Sequence, residues 1–166
     1  LNDLTIDHTI NDAAWPMFEK TGFRGEDLKR FVYIINPKNN LYDLPVSSGA
    51  GMKLGSGSLV FSKVQKFGPE IDELWSRVRH RYPVTIRRNS AYLNWRFADN
   101  PLSKYQMFMT QNNNLIKSLV VLRIEEVRAE KPLGVRAGRI IDYLSDGEGD
   151  IFTLSKTVEY CRDDGV

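Results

Sequence analysis

Cysteine is almost missing from this chain. Cys161 is the single one in 166 residues, so no internal disulfide can form and no covalent staple stabilises the fold. Histidine is nearly as scarce, and His8 and His80 lie too far apart to give a metal-ligand spacing. These shortages fit a reducing, cytoplasmic compartment and a fold with no structural metal. No apolar run approaches bilayer-spanning length, so no membrane span is expected. The opening LNDLTIDHTIND has neither the basic start nor the apolar stretch of a secretory signal. It also lacks an initiating methionine, as expected for a fragment of a longer chain.

An excess of one charge is lacking too. A net charge of +2 creates too weak a field to demand nucleic acid, and leaves room for a modest anionic ligand. The run RVRHRYPVTIRR is dense in cations but comes with no nucleic-acid-binding motif, so it reads as a solvated helix end and no nucleic-acid partner is expected. What the chain does have is an ordinary globular balance of 42% hydrophobic and 27% charged residues, which excludes the composition of disordered chains. Its length suits one full hydrophobic core rather than two.

Along the chain, residues 4–12 begin with a strand-like alternation. NDAAWPMFEKTGF then reads as a helix capped by Asn11 or Asp12 and closed by Gly22. LKRFVYIIN, residues 28–36, is β-branched and aromatic and predicts a strand. Residues 37–57, rich in Gly, Ser, Pro and Asn, have the composition of a linker. The stretch GAGMKLGSG inside it lacks the Gly-Lys-Ser/Thr ending of a phosphate-binding P-loop.

The second part begins with the strand SLVFSKVQKF. A helix follows in which Ile71, Leu74, Trp75 and Val78 share one face, with Arg77, Arg79, His80 and Arg81 off that face in its last turns. Asn89 or Ser90 can cap a further helix through AYLNWRF that stops near Pro101 and puts Tyr92, Trp95 and Arg96 on one flank. YQMFMTQ and LIKSLVVLRIEEV, split by NNN, predict a hairpin. AGRIIDYL gives a further strand beyond the loop RAEKPLG. The last segment predicts a helix with Ile151, Leu154, Val158 and Cys161 on one side.

Two stretches carry a resemblance. RNSAYLNWRFADNPLSKYQMF resembles the Arg-x-x-x-Tyr-Leu-x-Trp-Arg-Tyr-x-x-x-Pro-x-x-x-Tyr segment of bacterial GNAT-like proteins that often hold two such domains in tandem. Arg88, Tyr92, Leu93, Trp95, Arg96, Pro101 and Tyr105 match, and Phe97 replaces a common tyrosine. NDAAWPMFEKTGF is similar to the signature of the last GNAT helix, through Asn11, Ala14, Glu19, Lys20, Gly22 and Phe23. The chain thus looks like the end of one GNAT unit (1–36), a linker (37–57) and the start of a second (58–166), and the parts can also be read as one composite, permuted domain. The expected fold is α/β (α+β), with a central mixed, mainly antiparallel sheet flanked by helices. Packing of residues 4–36 on the sheet of 58–166 is expected within one chain, or by segment exchange in a homodimer.

The resemblance implies acetyl-CoA as cofactor and acetyl transfer to an amine of a small-molecule acceptor or cell-surface precursor. The implied cofactor-binding stretch is Ile140, Ile141, Asp142, Tyr143 and Leu144, with Gly147 and Gly149 in the following turn. Two features depart from the family pattern. Asp146, Glu148 and Asp150 put carboxylates where a diphosphate would sit, and Phe18 stands where a tyrosine often protonates the leaving thiolate. Asp142 and Glu125 are the candidate catalytic carboxylates, each with a surface ion-pairing role as the alternative. Arg88, Tyr92, Trp95 and Arg96 are candidates for a wall facing an anionic or planar acceptor, with core packing as the competing role for Tyr92 and Trp95 and ion pairing for Arg96. Trp95 is expected in the core. An acetyl-CoA-dependent N-acyltransferase and a non-catalytic GNAT-like module for scaffolding or dimerisation are therefore the two functional expectations.

Overall fold

A computed structural model describes residues 16, 20, 33, 35, 58–82, 85–126 and 136–166. The elements expected over 4–12 and 11–23, the Phe18 position, the linker 37–57 and the loop after residue 128 lie outside these residues, as does the strand over 28–36 apart from Tyr33 and Ile35. The chain divides into two compact units, Leu1–Tyr33 and Ile34–Val166. In the first, Pro16 and Lys20 are helical and exposed.

The second unit is mixed α+β. Its strands are β1 (Leu59–Val64), β2 (Gln106–Asn112), β3 (Leu115–Glu126) and β4 (Arg136–Ser145), hydrogen-bonded in the order β1-β2-β3-β4. Every pairing among them is antiparallel. The helices are α1 (Glu70–Val78), which tightens into a 3-10 turn at Arg79–Arg81, α2 (Ser90–Leu93), which widens into a π turn at Asn94–Ala98, and α3 (Asp150–Asp163).

The β2–β3 hairpin closes on Asn113 and Asn114, with φ of 47° and 64°. Asparagine tolerates this left-handed region better than other residues with side chains, and two such residues in succession match the right-handed twist of the flanking strands. In α1, Ile71, Leu74, Trp75 and Val78 are all buried, as their spacing predicts. They pack with Leu93, Phe97, Met107, Met109, Leu119, Val121 and Leu144 on one face of the sheet. On the other face Phe108, Val120 and Leu122 meet Cys161 of α3, with Ile35, Phe61, Tyr143 and Tyr160 packed around them. The sheet is thus covered on both sides, and burial pushes the Cys161 thiol up from its ordinary pKa.

The β2–β3 and β3–β4 ladders each carry one irregularity, whereas β1–β2 pairs without a break. Gln111 pairs with Ile116 while Thr110 pairs with Ser118, so Lys117 is an extra residue in β3. Val121 pairs with Asp142 while Leu122 pairs with Ile140, so Ile141 is the extra residue in β4. A bulge resets the period-two alternation. Ile116 and Leu119 therefore share the α1 face despite an odd spacing.

Two expectations about helix faces are corrected. Trp95 is 70% exposed rather than in the core. Leu93 and Phe97 bury the inward face of α2 and its π turn, and Tyr92, Trp95 and Arg96 share the outward flank. In α3 the buried stripe is Thr153, Thr157 and Cys161, whereas Ile151 is 55% exposed and Leu154 and Val158 are half-buried. The reason is polar. The Thr153 hydroxyl lies 2.6 Å from those of both Thr110 and Ser118, and Thr157 donates to the Thr153 carbonyl at 2.8 Å.

This buried hydroxyl trio ties α3 to β2 and β3, which gives a test. Thr153→Val strands two buried hydroxyls and should cost about 1–3 kcal/mol in urea unfolding. Adding Thr110→Val and Ser118→Ala should recover most of that loss, since an apolar replacement of the whole trio leaves no orphan. A triple variant weaker than Thr153→Val by the sum of its parts would count against the coupling.

Candidate functional site

The residues implied in cofactor binding gather at the end of β4, in the turn that follows, and at the start of α3. The bulge at Ile141 takes that residue out of register with β3, which leaves the edge strand irregular one residue before Asp142. Ile140 and Ile141 are 46% and 37% exposed. Leu144 is instead fully buried in the α1-side core, so its side chain is structural.

The turn reverses on Gly147, whose φ of 97° is strained for any residue with a Cβ. Its N–H donates to the Ser145 hydroxyl at 2.9 Å, and the Glu148 N–H donates to Asp146 at 3.1 Å. Gly149 matters for a different reason. A Cβ there would stand 3.3 Å from the Cβ of Lys117, close enough that the Lys117 stem would have to give by a few tenths of an ångström, and in ordinary contact with the Ser118 hydroxyl at 3.5 Å. Absence of a side chain lets the first turn of α3 settle on the sheet, and Thr153 N–H then donates to the Gly149 carbonyl at 2.9 Å.

Lys117, the extra residue of β3, holds this turn. Its ammonium pairs with Glu148 and lies 3.4 Å from Asp146, while its carbonyl accepts from the Asp146 N–H at 2.9 Å. Arg77 of α1 adds a longer contact to Asp146, 3.7 Å, and donates to the Ile116 carbonyl. The hydrogen bond from Lys117 holds the Glu148 carboxyl below its ordinary pKa, and the same bond raises that of Lys117. Asp150 accepts from the Tyr143 phenol at 2.7 Å and from the Ser145 hydroxyl, at a helix start whose dipole favours an anion. Burial first, and the bond to Asp150 second, push the Tyr143 phenol far above its ordinary value.

The three carboxylates that seemed to oppose an anionic ligand are thus each engaged from within. A cation also stands at the turn: the Arg81 guanidinium comes within 3.7 Å of the point where a Cβ on Gly147 would lie, and it has no carboxylate partner among the described residues. Composition gives no sign of Lys117, Arg77 or Arg81 as partners of this turn. Only the bulge and the α1 packing bring them to it.

Asp142 and Glu125 do not meet. Asp142 accepts from Arg88 Nε at 2.9 Å, and its side chain is 10% exposed. Glu125 sits four residues beyond Asp142's cross-strand partner Val121, roughly 13 Å along the strand. There it pairs with Arg139 at 2.5 Å and Arg123 at 3.2 Å. Arg88 also donates to Thr85 and lies over the Tyr82 ring at 5.9 Å. Arg96 instead donates to the Tyr92 hydroxyl at 3.0 Å and sits over the Tyr92 and Phe97 rings. The acceptor-wall candidates therefore split: Arg88 faces β4, while Tyr92 and Arg96 form their own pair. Asn89 caps the helix that carries them, accepting from the Tyr92 N–H at 3.0 Å.

No protein-family model, curated protein or solved structure matches this chain. No described helix is long and apolar enough to cross a membrane, and no described cluster of His, Cys, Asp and Glu is suited to hold a metal ion.

Lys117→Met removes the cation shared by Asp146 and Glu148 while keeping the aliphatic stem. It should lower urea stability at neutral pH, and the loss should shrink at acid pH, where Glu148, held below its ordinary pKa by Lys117, is protonated and no longer depends on the pair. Tyr143 predicts an alkaline effect. Above about pH 10 an unfolded tyrosine loses its proton while the folded Tyr143 keeps it, so the native state binds more protons and stability must fall as pH rises. Thermal melts of Tyr143→Phe should show a shallower decline above that pH than the parent protein.

Proposed function

We propose that residues 58–166 form a GNAT-like unit that binds acetyl-CoA and transfers its acetyl group to the amine of a small-molecule or cell-surface-precursor acceptor. The observation that carries the reading is the bulge at Ile141 directly before a glycine turn that starts a helix. It puts an out-of-register backbone N–H and the Gly147 reversal on one short segment, beside the Arg81 guanidinium, which has no carboxylate partner among the described residues. Strand backbone freed from its ladder suits an extended amide-containing arm such as pantetheine. Arg81 and the α3 N-terminus suit a diphosphate, which the internally engaged carboxylates no longer repel at full charge.

In this reading backbone N–H groups near Ile141 would meet the oxyanion that develops as the acceptor amine attacks the thioester carbonyl; the C–S bond would break, and the proton given up by the amine would pass through water to the departing CoA sulfur. Rate would come from positioning and oxyanion stabilisation, with no covalent enzyme intermediate. The bond from Arg88 occupies Asp142, which gives that carboxylate the part of fixing β4 against the 85–88 segment. Glu125, paired with two arginines, is a structural carboxylate.

That engagement of both carboxylates supports a second reading, a GNAT-like module without catalysis that serves as a scaffold or dimerisation half. Calorimetry separates the two at the binding step. Under the first reading CoA and acetyl-CoA at a hundred times Kd add about 2.7 kcal/mol of stability. Arg81→Gln then weakens both ligands about tenfold, the loss expected for one charge-assisted contact to a phosphate. Absence of any thermal shift at millimolar CoA defeats the acyl-CoA reading, and binding without acetyl transfer to any amine tested supports the module.

A further inference from the structure

The flank of α2 that the sequence places in the core is exposed, and it borders a cleft. Trp95, Arg96, Asp99, Asn100, Pro101 and Tyr105 line a space of about 410 Å³, within the range of small-ligand sites. None of these residues belongs to β4 or to the 146–150 turn. We propose that this cleft is a binding site for an anionic sugar, stacked on the Trp95 ring with its acidic group on Arg96. The proposal stands without the acyl-transfer reading.

Four observations carry it. Trp95 presents 70% of its surface to solvent although its helix has two buried positions, Leu93 and Phe97, on either side of it. An exposed indole contributes nothing to this core and offers a flat apolar face to a ligand. Second, the backbone bearing it is a π turn, Asn94–Ala98, a rare conformation that occurs mostly as single turns at functional sites. Third, Arg96 has no carboxylate partner among the described residues. Asp99, which also lines the cleft, pairs with Lys66 at 2.6 Å, and the guanidinium fork keeps donors for an incoming anion.

Fourth, the floor of the cleft is preorganised. Asn100 donates to the Arg96 carbonyl at 3.1 Å and accepts from the N–H groups of Leu102 and Ser103 at 2.9 and 3.1 Å. Tyr105 is fixed edge-on against the buried Phe97, ring centroids 5.1 Å apart. A ligand would therefore meet a formed surface and lose little affinity to ordering it.

The class of ligand follows from shape and wetness. The cleft is open, so an aromatic acid would leave much of its apolar area in water. A sugar lays its C–H face on the indole and keeps its hydroxyls hydrated. The fork of Arg96 accepts a carboxylate or a phosphate equally well, so the shared requirement is a sugar with an acidic group.

Two-dimensional ¹H–¹⁵N NMR of the full chain reads the site directly, with the Trp95 indole N–H assigned by its disappearance in Trp95→Phe. Glucuronate or glucose 6-phosphate should shift that resonance saturably in the millimolar range, and the tighter of the two identifies the preferred acidic group. Glucose at equal concentration should leave it in place. Arg96→Gln, on an exposed side chain, should raise the apparent Kd about tenfold with the remaining spectrum unchanged. The proposal is overturned if neither acidic sugar moves the Trp95 resonance, if glucose binds as well as they do, if Arg96→Gln has no effect, or if benzoate binds more tightly than both.

Discussion

The extra residue at Lys117 is the constraint on which the described site depends. A bulge there turns β3 so that Ile116 enters the α1-side core while the Lys117 ammonium reaches the turn after β4. The Lys117 side chain is largely covered while its ammonium reaches the turn, where Asp146, Glu148 and the bond to the backbone carbonyl of the same residue fix where the turn lies. The turn lies so close to the Lys117 stem that a Cβ at Gly149 would press on it. The position of α3 follows from that of Gly149, and the Thr153 hydroxyl falls between Thr110 and Ser118 as a result.

The consequence for ligand chemistry is a change in how the acidic turn is understood. Taken as free charges, Asp146, Glu148 and Asp150 would repel a diphosphate. Engaged by Lys117, Arg77, Tyr143 and Ser145, they shape a loop that the Arg81 guanidinium approaches at Gly147. Charge counted along a segment and charge presented to a ligand are different quantities, because hydrogen bonds aim a carboxylate as well as compensate it.

Much of the second unit was legible in the sequence. The α1 face, the Asn89 cap, the hairpin at Asn113–Asn114 and the strand order of the hairpin all follow from periodicity and turn chemistry, which act over a few residues. Two faces were misjudged for physical reasons. Trp95 was assigned inward because large aromatics usually fill cores, yet Leu93 and Phe97 already occupy that side of the helix. Hydrophobicity places the α3 stripe at Ile151, Leu154, Val158 and Cys161, of which Cys161 alone is buried. Threonines that satisfy one another across a helix–sheet contact carry no hydrophobic signal and can be buried all the same. The partners of the candidate site were hidden for a related reason: Arg88 is 54 positions from Asp142, and Lys117 is 31 from Glu148.

By itself the sequence determined the kinds of local structure: where strands alternate, where an asparagine caps or turns, which apolar residues of α1 share a face, and the mixed α+β class those elements add up to. Only the tertiary structure decided which charges meet, which face of α2 stays in water, and where the two bulges shift the alternation. Local preferences arise from each residue's own backbone and its near neighbours, whereas ion pairs, hydroxyl contacts and an exposed Trp95 depend on distances between segments, which are set only once the sheet has formed.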